Sequence, residues 1–344
     1  MEQTLDKPKK VNRWIFLFIL VLSFLAARAY PPVLPHVQLP AENISHSPLF
    51  TLPVIGEFYL TNTLLALLIA DIIILLIAWS IHKQAKRGQQ ILTGIPGVFG
   101  AILEMLYGMT GTTAGKWTKK IFPYFATIFM LVLIVNWMEL IPGVDSIGIL
   151  HYSEDHGYPI EEIAPGIVTI VRQPDKNGEE EAHTSGGYNL WPYVRVAATD
   201  LNFTISLALI SVVMTQVIGF QALGGNYITK YFNIQAFRNL GRAGKKPGFG
   251  GPFDILMPII DIAVGLLEII AEISKILSFS FRLFGNIFAG AVLLFVIGFI
   301  SPVFAQSIFL LLELFIGLIQ AFVFGILTMV FMSMATHGHG DHGD

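Results

Sequence analysis

Apolar and polar positions divide this chain into long apolar runs separated by short charged stretches. The first run, Trp14 to Ala27, follows Lys7, Lys9, Lys10 and Arg13 and ends at Ala27-Arg28-Ala29, just before Tyr30-Pro31-Pro32. A basic flank, a short apolar centre and a small-x-small site are the features of a secretory signal. The run is shorter than the roughly 20 residues that cross about 30 Å of hydrocarbon at 1.5 Å each. Residues 1–29 are therefore expected to form a signal peptide or an uncleaved signal anchor, followed by an external segment over 30–60.

Thr61 to Ile81 predicts a spanning helix, closed by His82, Lys83, Lys86 and Arg87. Such a basic cluster belongs on the cytoplasmic side. Gly94-Ile95-Pro96-Gly97 then punctuates the chain before Val98 to Gly108, a length that suits an interfacial or re-entrant helix. Basic residues return between Gly111 and Lys120, and Phe122 to Ile141 crosses outward as far as Pro142-Gly143. Residues 143–192 carry nine acidic residues (Asp145, Glu154, Asp155, Glu161, Glu162, Asp175, Glu179, Glu180 and Glu181) against Arg172 and Lys176 alone. That balance suits an external insertion. Within it, Gly166 to Val171 followed by Pro174-Asp175-Lys176-Asn177-Gly178 predicts a short strand and turn, in a small hairpin.

Leu201 to Leu223 crosses back inward, and Lys230, Arg238, Arg242, Lys245 and Lys246 again mark a cytoplasmic loop. Two further apolar stretches, Phe253 to Ile300 and Pro302 to Ala335, far exceed the length of a perpendicular span. Both must tilt, bend or lie partly in the membrane plane. The pattern predicts an all-α integral membrane protein with about five transmembrane helices and a short re-entrant or interfacial helix. Its last two helices are long, strongly tilted and joined at Ser301-Pro302. The first spans fall in 61–142, an ion-translocating helical core in 193–335 and a His/Gly-rich tail in 336–344.

Composition agrees: 54% of the 344 residues are apolar and 13% charged, a balance foreign to soluble domains. A net charge of −3 leaves no footprint for nucleic acid. The absence of cysteine removes disulfides, thiol catalysis and zinc-thiolate sites. No phosphate loop, nucleophile elbow or zinc-binding helix is present, so neither cofactor nor metal is expected and any nucleotide chemistry belongs to another chain. His337-Gly338-His339-Gly340-Asp341-His342 invites a metal reading, but glycine-rich spacing favours a solvated tail.

The chemistry is concentrated in the charges buried within apolar sequence. Arg282 sits in Ser278-Phe279-Ser280-Phe281-Arg282-Leu283-Phe284-Gly285-Asn286. Placing its charge at the centre of a span costs about 2.5 to 3.5 kcal/mol on insertion scales. Arginine cannot relieve this by losing a proton, so it requires carboxylate, water or carbonyl partners. Glu268, Lys275 and Arg282 recur every seven residues, with Glu272 and Ser278 at four-residue offsets, forming one polar stripe. Lys275 is placed to pair with Glu268 or Glu272. On the last helix Glu313 and Gln320 are also seven apart, with Gly317 leaving room between them. The plainer reading, buried ion pairs that hold helices in register, suits the isolated Asp71 better than it suits Arg282. Ionisable groups at membrane depth mark ion pathways. An independent transporter that uses Arg282 to bind an anion is the alternative, and the inverted repeat common in such proteins is missing.

Ser278 to Gly290, SFSFRLFGNIFAG, resembles the signature of subunit a of F-type ATP synthases, the membrane-sector stator and ion-channel subunit. Asn136-Trp137-Met138-Glu139-Leu140-Ile141-Pro142 resembles the family's Asn-x-Met-Asp-Leu-x-Pro element. Asp200-Leu201-Asn202-Phe203-Thr204-Ile205-Ser206 resembles its Asp-x-Asn-x-Thr-x-Ser helix start, and Gln320-Ala321-Phe322 with Phe324 and Leu327-Thr328 its terminal helix. The resemblance implies that Arg282 is the essential stator arginine, that Gln320 faces it, and that Asn286, Glu268 and Ser278 lie near the ion path. Asn202, Ser206, Glu272 and Lys275 are expected to give polar support. Where some members carry a carboxylate and a histidine, this chain has Ala291 and Glu313, which implies that Glu313 takes over a relay role. The resemblance further implies c-ring and peripheral-stalk b subunits as partners, two half-channels serving the ring carboxylates, and a multi-pass place in a bacterial inner membrane with the C-terminus cytoplasmic.

Overall fold

The computed structural model describes residues 17–18, 21–22, 24–25, 41–45, 47–53, 56–88, 92–153, 157–170, 187–225, 227, 231, 252–301 and 304–337. The signal-like segment as a whole, the turn Pro174 to Gly178, the basic residues Lys230, Arg238, Arg242, Lys245 and Lys246, Pro302, and the tail beyond His337 lie outside them.

Helices dominate. They are α1 (Asn62–Lys86), α2 (Ile95–Ala114), α3 (Thr118–Met138), α4 (Leu201–Leu223), α5 (Pro252–Ile300) and α6 (Phe304–Ala335). Among the described residues, five stretches are long and apolar enough to cross a membrane: Asn62–Lys86, Ile95–Met138, Leu201–Leu223, Ile262–Gly298 and Phe304–Ala335. At 1.5 Å per residue α6 is about 48 Å long and α5 about 74 Å, both beyond a bilayer core of about 30 Å. The expected all-α membrane architecture with two over-long final helices is present.

Local chemistry sets the helix ends. Gly94, at φ +68°, turns the chain into α2 with a proline in the first turn. That backbone suits a residue without Cβ, and proline is tolerated where no helical N–H bond is lost. α2 extends beyond the expected Val98–Gly108 at both ends, because its glycines leave the helical ladder intact until Gly115, at φ +51°. A 3₁₀ turn, Gly115–Trp117, then leads into α3, and Thr118 Oγ1 donates to Gly115 O at 2.6 Å. The α4 N-terminus is capped by Asp200, whose carboxylate accepts from Asn202 N at 2.9 Å and from Thr63 Oγ1 at 3.1 Å. A side-chain cap of this kind contributes about 1 kcal/mol.

The chain forms two compact units. One comprises 63–138, 196–287 and 317–344 and is a helix bundle. Its core contains Leu106, Ile121, Phe125, Phe129, Leu133, Leu283 and Met332, all almost fully buried. Polar contacts join its helices, as expected where lipid gives apolar association little advantage. Ser211 and Thr328 share a hydrogen bond of 2.7 Å, Asn136 Nδ2 donates to Gly317 O at 3.2 Å, and Ser333 Oγ donates to Thr113 O at 2.9 Å. Gly325 lets Phe125 approach so closely that a Cβ there would lie 2.8 Å from the ring.

The other unit comprises 1–62, 139–195 and 288–316 and contains the β-structure. β1 (Phe50–Leu52) pairs antiparallel with β2 (Gly56–Phe58). After β3 (Pro142–Asp145), β4 (Gly148–Ser153) pairs with β7 (Gly187–Pro192), and β5 (Ile160–Ala164) with β6 (Ile167–Ile170), all antiparallel. The expected strand is β6. It pairs backward onto β5 across the tight turn at Gly166, a pairing hidden by the Glu161-Glu162 charges that break the alternation of β5. His151 stacks on Trp191 at 4.3 Å and fixes the β4–β7 register.

Candidate ion-translocation site

α5 has two unlike faces. Ser280, Leu283, Ile287, Gly290, Ala291 and Leu294 are buried, and their three- and four-residue spacing makes one continuous stripe. Ile273, Ser274, Leu277, Ser278, Phe281 and Gly285 form an exposed stripe. Phe279 packs on Phe324 and Phe331 of α6 with ring centroids 5.0 and 5.8 Å apart, and Ser280 Oγ reaches Thr204 O of α4 at 3.4 Å.

Arg282 stands at the border of these stripes, half-buried, beside exposed Phe281 and buried Leu283. Its hydrogen bond among the described residues runs from Nη2 to Ser278 Oγ at 3.5 Å, one turn back on the same helix. This is a long bond to an exposed hydroxyl, far short of the five donors that a guanidinium offers. Asn286, one turn further on, is exposed, and Gln320 on α6 is half-buried.

The polar stripe is partly resolved into contacts. Lys275 Nζ pairs with Glu272 Oε1 at 2.8 Å and lies 4.8 Å from the centroid of the Phe331 ring. Tyr231 Oη also donates to Glu272 Oε1, at 3.3 Å. Of the two partners open to Lys275, Glu272 is thus in contact, while Glu268 is half-buried one turn before it. Asn202 and Ser206 are both exposed on α4 and bond locally, Ser206 Oγ to Asn202 O at 2.7 Å.

Glu313 has a different environment. It is 5% exposed, and its Oε1 has no hydrogen-bond partner among the described residues. The carboxylate lies against Gly290, where any Cβ would come within 2.5 Å of Oε1. The missing side chain at Gly290 is therefore what makes room for Glu313. Glu139, directly after α3, belongs to the same unit, and neither of its buried oxygens has a hydrogen-bond partner among the described residues. Glu139 was not expected as a site residue. Its only signal in the sequence was position, within a family-like motif.

A multi-pass helical membrane protein with a permanent cation and carboxyls inside its spans is of the ion-translocating class. The family described as ATP synthase A chain matches residues 63–333, and the chain belongs to that family. It is accordingly an ion-channel subunit of the membrane sector, associated with the remainder of an ATP synthase. The chain is similar to ATP synthase subunit a of Mycobacterium ulcerans, 27% identical over 239 residues, 68% of this chain and 69% of that protein. It is 27% identical over 203 residues to ATP synthase subunit a of Nitratiruptor, with 59% of this chain and 58% of that one covered. Similarity also extends to the sodium ion specific ATP synthase subunit a of Propionigenium modestum, 26% identical over 198 residues, 56% of this chain and 48% of that one.

Proposed function

We propose that this subunit carries protons through two half-channels to and from carboxylates on a rotating c-ring, and that Arg282 separates the two channels. The observation that carries this reading is the placement of Arg282: a fixed charge, half-buried at the edge of the exposed stripe of α5, whose bond among the described residues is one long contact with Ser278. A carboxylate arriving from another protein would meet it there. Opposite charge favours the ionised carboxylate, so each ring site would release its proton on reaching Arg282 and none would pass directly between channels. Ser278, Asn286, Gln320 and Glu268 would line the path near the arginine. Glu272 and Lys275, as a bound pair, would keep a second cation out of it, and Asn202 and Ser206 would give α4 a polar outer face. A potential of 100 mV contributes about 2.3 kcal/mol for each charge moved.

In this reading the b subunits and the ring are the neighbours in the membrane, the membrane is a bacterial inner membrane, and the C-terminus is cytoplasmic. Lys83 and Lys86 in the last turn of α1 support that orientation through the positive-inside rule. In vesicles containing the whole synthase, Arg282→Ala is expected to abolish proton-driven ATP synthesis. Retention of wild-type synthesis by that variant would overturn the assignment.

A further inference from the structure

Between α4 and α5, within the helix-bundle unit, lies a cavity of about 760 Å³ whose walls include Val212, Val217, Phe220, Ile269, Ile273 and Ile276. Its size falls in the range of ligand sites, about 300 to 1,000 Å³. The polar neighbours of this space spend their polar atoms on one another. The hydroxyls of Tyr227 and Tyr231 both donate to Gln216 Oε1 at 2.6 Å. Glu272 Oε1 accepts from Lys275 at 2.8 Å and from Tyr231 at 3.3 Å. What faces the cavity is therefore almost entirely carbon. Phe220 and Ile273 are 51% and 54% exposed, so the cavity opens outward, on stretches of α4 and α5 apolar enough to cross a membrane.

Gln221, at the last described position of the lining on α4, joins the cavity to a second feature. Its Oε1 accepts from Lys120 Nζ at 3.4 Å, and the same Nζ lies 4.7 Å from the centroid of the Trp117 ring. Lys116 and Lys119 are close in sequence to this pair. All three lysines are exposed, and none has an ion pair among the described residues. The lining from Val212 to Gln221 runs about 14 Å along α4, from apolar depth to this basic end. Membrane orientation accounts for lysines on one side of a bilayer, but not for their junction with an apolar cavity. Cations and a tryptophan at the end of a carbon-walled slot complement a molecule with an anionic head and a hydrocarbon tail. Glu272, already engaged by Lys275 and Tyr231, gives an anion no place at the deep end.

We propose that this is a binding site for an anionic phospholipid, with its phosphate among Lys116, Lys119 and Lys120 beside Trp117 and one acyl chain in the cavity between α4 and α5. Lysine stems lie along apolar surface while their ammonium groups reach the headgroup level, and basic clusters beside membrane helices attract anionic lipid heads. Each methylene that enters the cavity adds apolar burial. The bound chain packs against both helices and braces α5 beside the Glu272–Lys275 pair. Lipid binding needs no ion flow, so the inference stands apart from the proton-channel reading.

The test uses the whole purified synthase and two photoreactive lipids with the same diazirine-bearing acyl chain, a phosphatidylglycerol and a phosphatidylcholine. Phosphatidylglycerol is expected to label the α4 and α5 peptides around Phe220 and Ile273 several-fold more than phosphatidylcholine. The double variant Lys119→Gln, Lys120→Gln is expected to lose that preference, and Lys119→Arg, Lys120→Arg to keep it. Val217→Trp, which fills the cavity from its open side, is expected to lower labelling of those peptides by both lipids. Equal labelling by the two lipids in wild type, or a preference that survives the glutamine substitutions, overturns the headgroup site. Labelling unchanged in Val217→Trp overturns the cavity as the place of the chain. Loss of the preference on adding inorganic phosphate would assign the lysines to a soluble anion and overturn the lipid.

Discussion

At the scale of single residues, what a side chain lacks is as informative as what it touches. Glu313 has an oxygen unpartnered among the described residues and a glycine opposite it, so two substitutions separate its chemistry from its space. Glu313→Gln keeps the shape and removes the proton-binding group, and ATP-driven acidification of vesicles is expected to slow strongly while the complex still assembles. Gly290→Ala keeps the carboxyl but places a methyl where Oε1 lies, an overpacking of about 1 to 3 kcal/mol. It is expected to slow the same assay less, and an unchanged rate in both variants would reduce Glu313 to a structural role. Burial raises the Glu42 carboxyl above its usual value of 4.5, with Arg195 opposing and Asp145 adding. The folded segment therefore favours the protonated form: its contribution to stability is complete below about pH 4.5 and is lost as pH rises through the folded value. Protection of the Ile44 and Asn62 amides, bonded to Leu60 O and Glu42 O, is expected to fall over that rise in amide exchange, and Glu42→Gln is expected to flatten the trend.

At the scale of elements, hydropathy gave the spans and little else. The long runs over α1, α3, α4, α5 and α6 were legible because a membrane demands about 20 apolar residues, and the stripe from Glu268 to Arg282 was legible because helical spacing is regular. The sheet pairings were not. β4 finds β7 some forty residues later, and nothing local specifies such a partner. The same limit hid Asp145 and Glu42, whose surroundings are set only by folding. α1 carries its own question. Asp71 lies ten residues into that helix, exposed and without a hydrogen bond or ion pair among the described residues, although isolation in apolar sequence suggested a buried, satisfied group. An exposed carboxylate inside a span costs about 2.5 to 3.5 kcal/mol, which favours a polar partner from another subunit. Asp71→Leu is expected to leave the chain inserted but lower the yield of intact complex on copurification; full recovery would show that Asp71 has no such partner.

At the scale of the whole molecule, the spans differ in how much of them the chain itself covers. The most apolar stretch of Ile95–Met138 is 67% buried, while those of Asn62–Lys86 and Ile262–Gly298 are 11% and 28% buried. The α2–α3 region is an internal scaffold, and α1 and α5 present surface to lipid or to other proteins. Lipid alone would account for the apolar side chains of α5, Leu277 and Phe281, but not for Arg282, Ser278 and Asn286 on and beside the same stripe. Such a surface, both apolar and charged, fits the proposed carboxylate ring as its partner. The cysteine-free sequence makes this directly testable. A cysteine replacing Ser278, which is exposed, is expected to cross-link to a cysteine beside the ring carboxylate. One replacing Ser280, which is 1% exposed and bonded toward α4, is expected not to. Equal cross-linking from both positions, or cross-linking from Ser280 alone, would mean that α5 turns its other face to the ring and that Arg282 has a different partner.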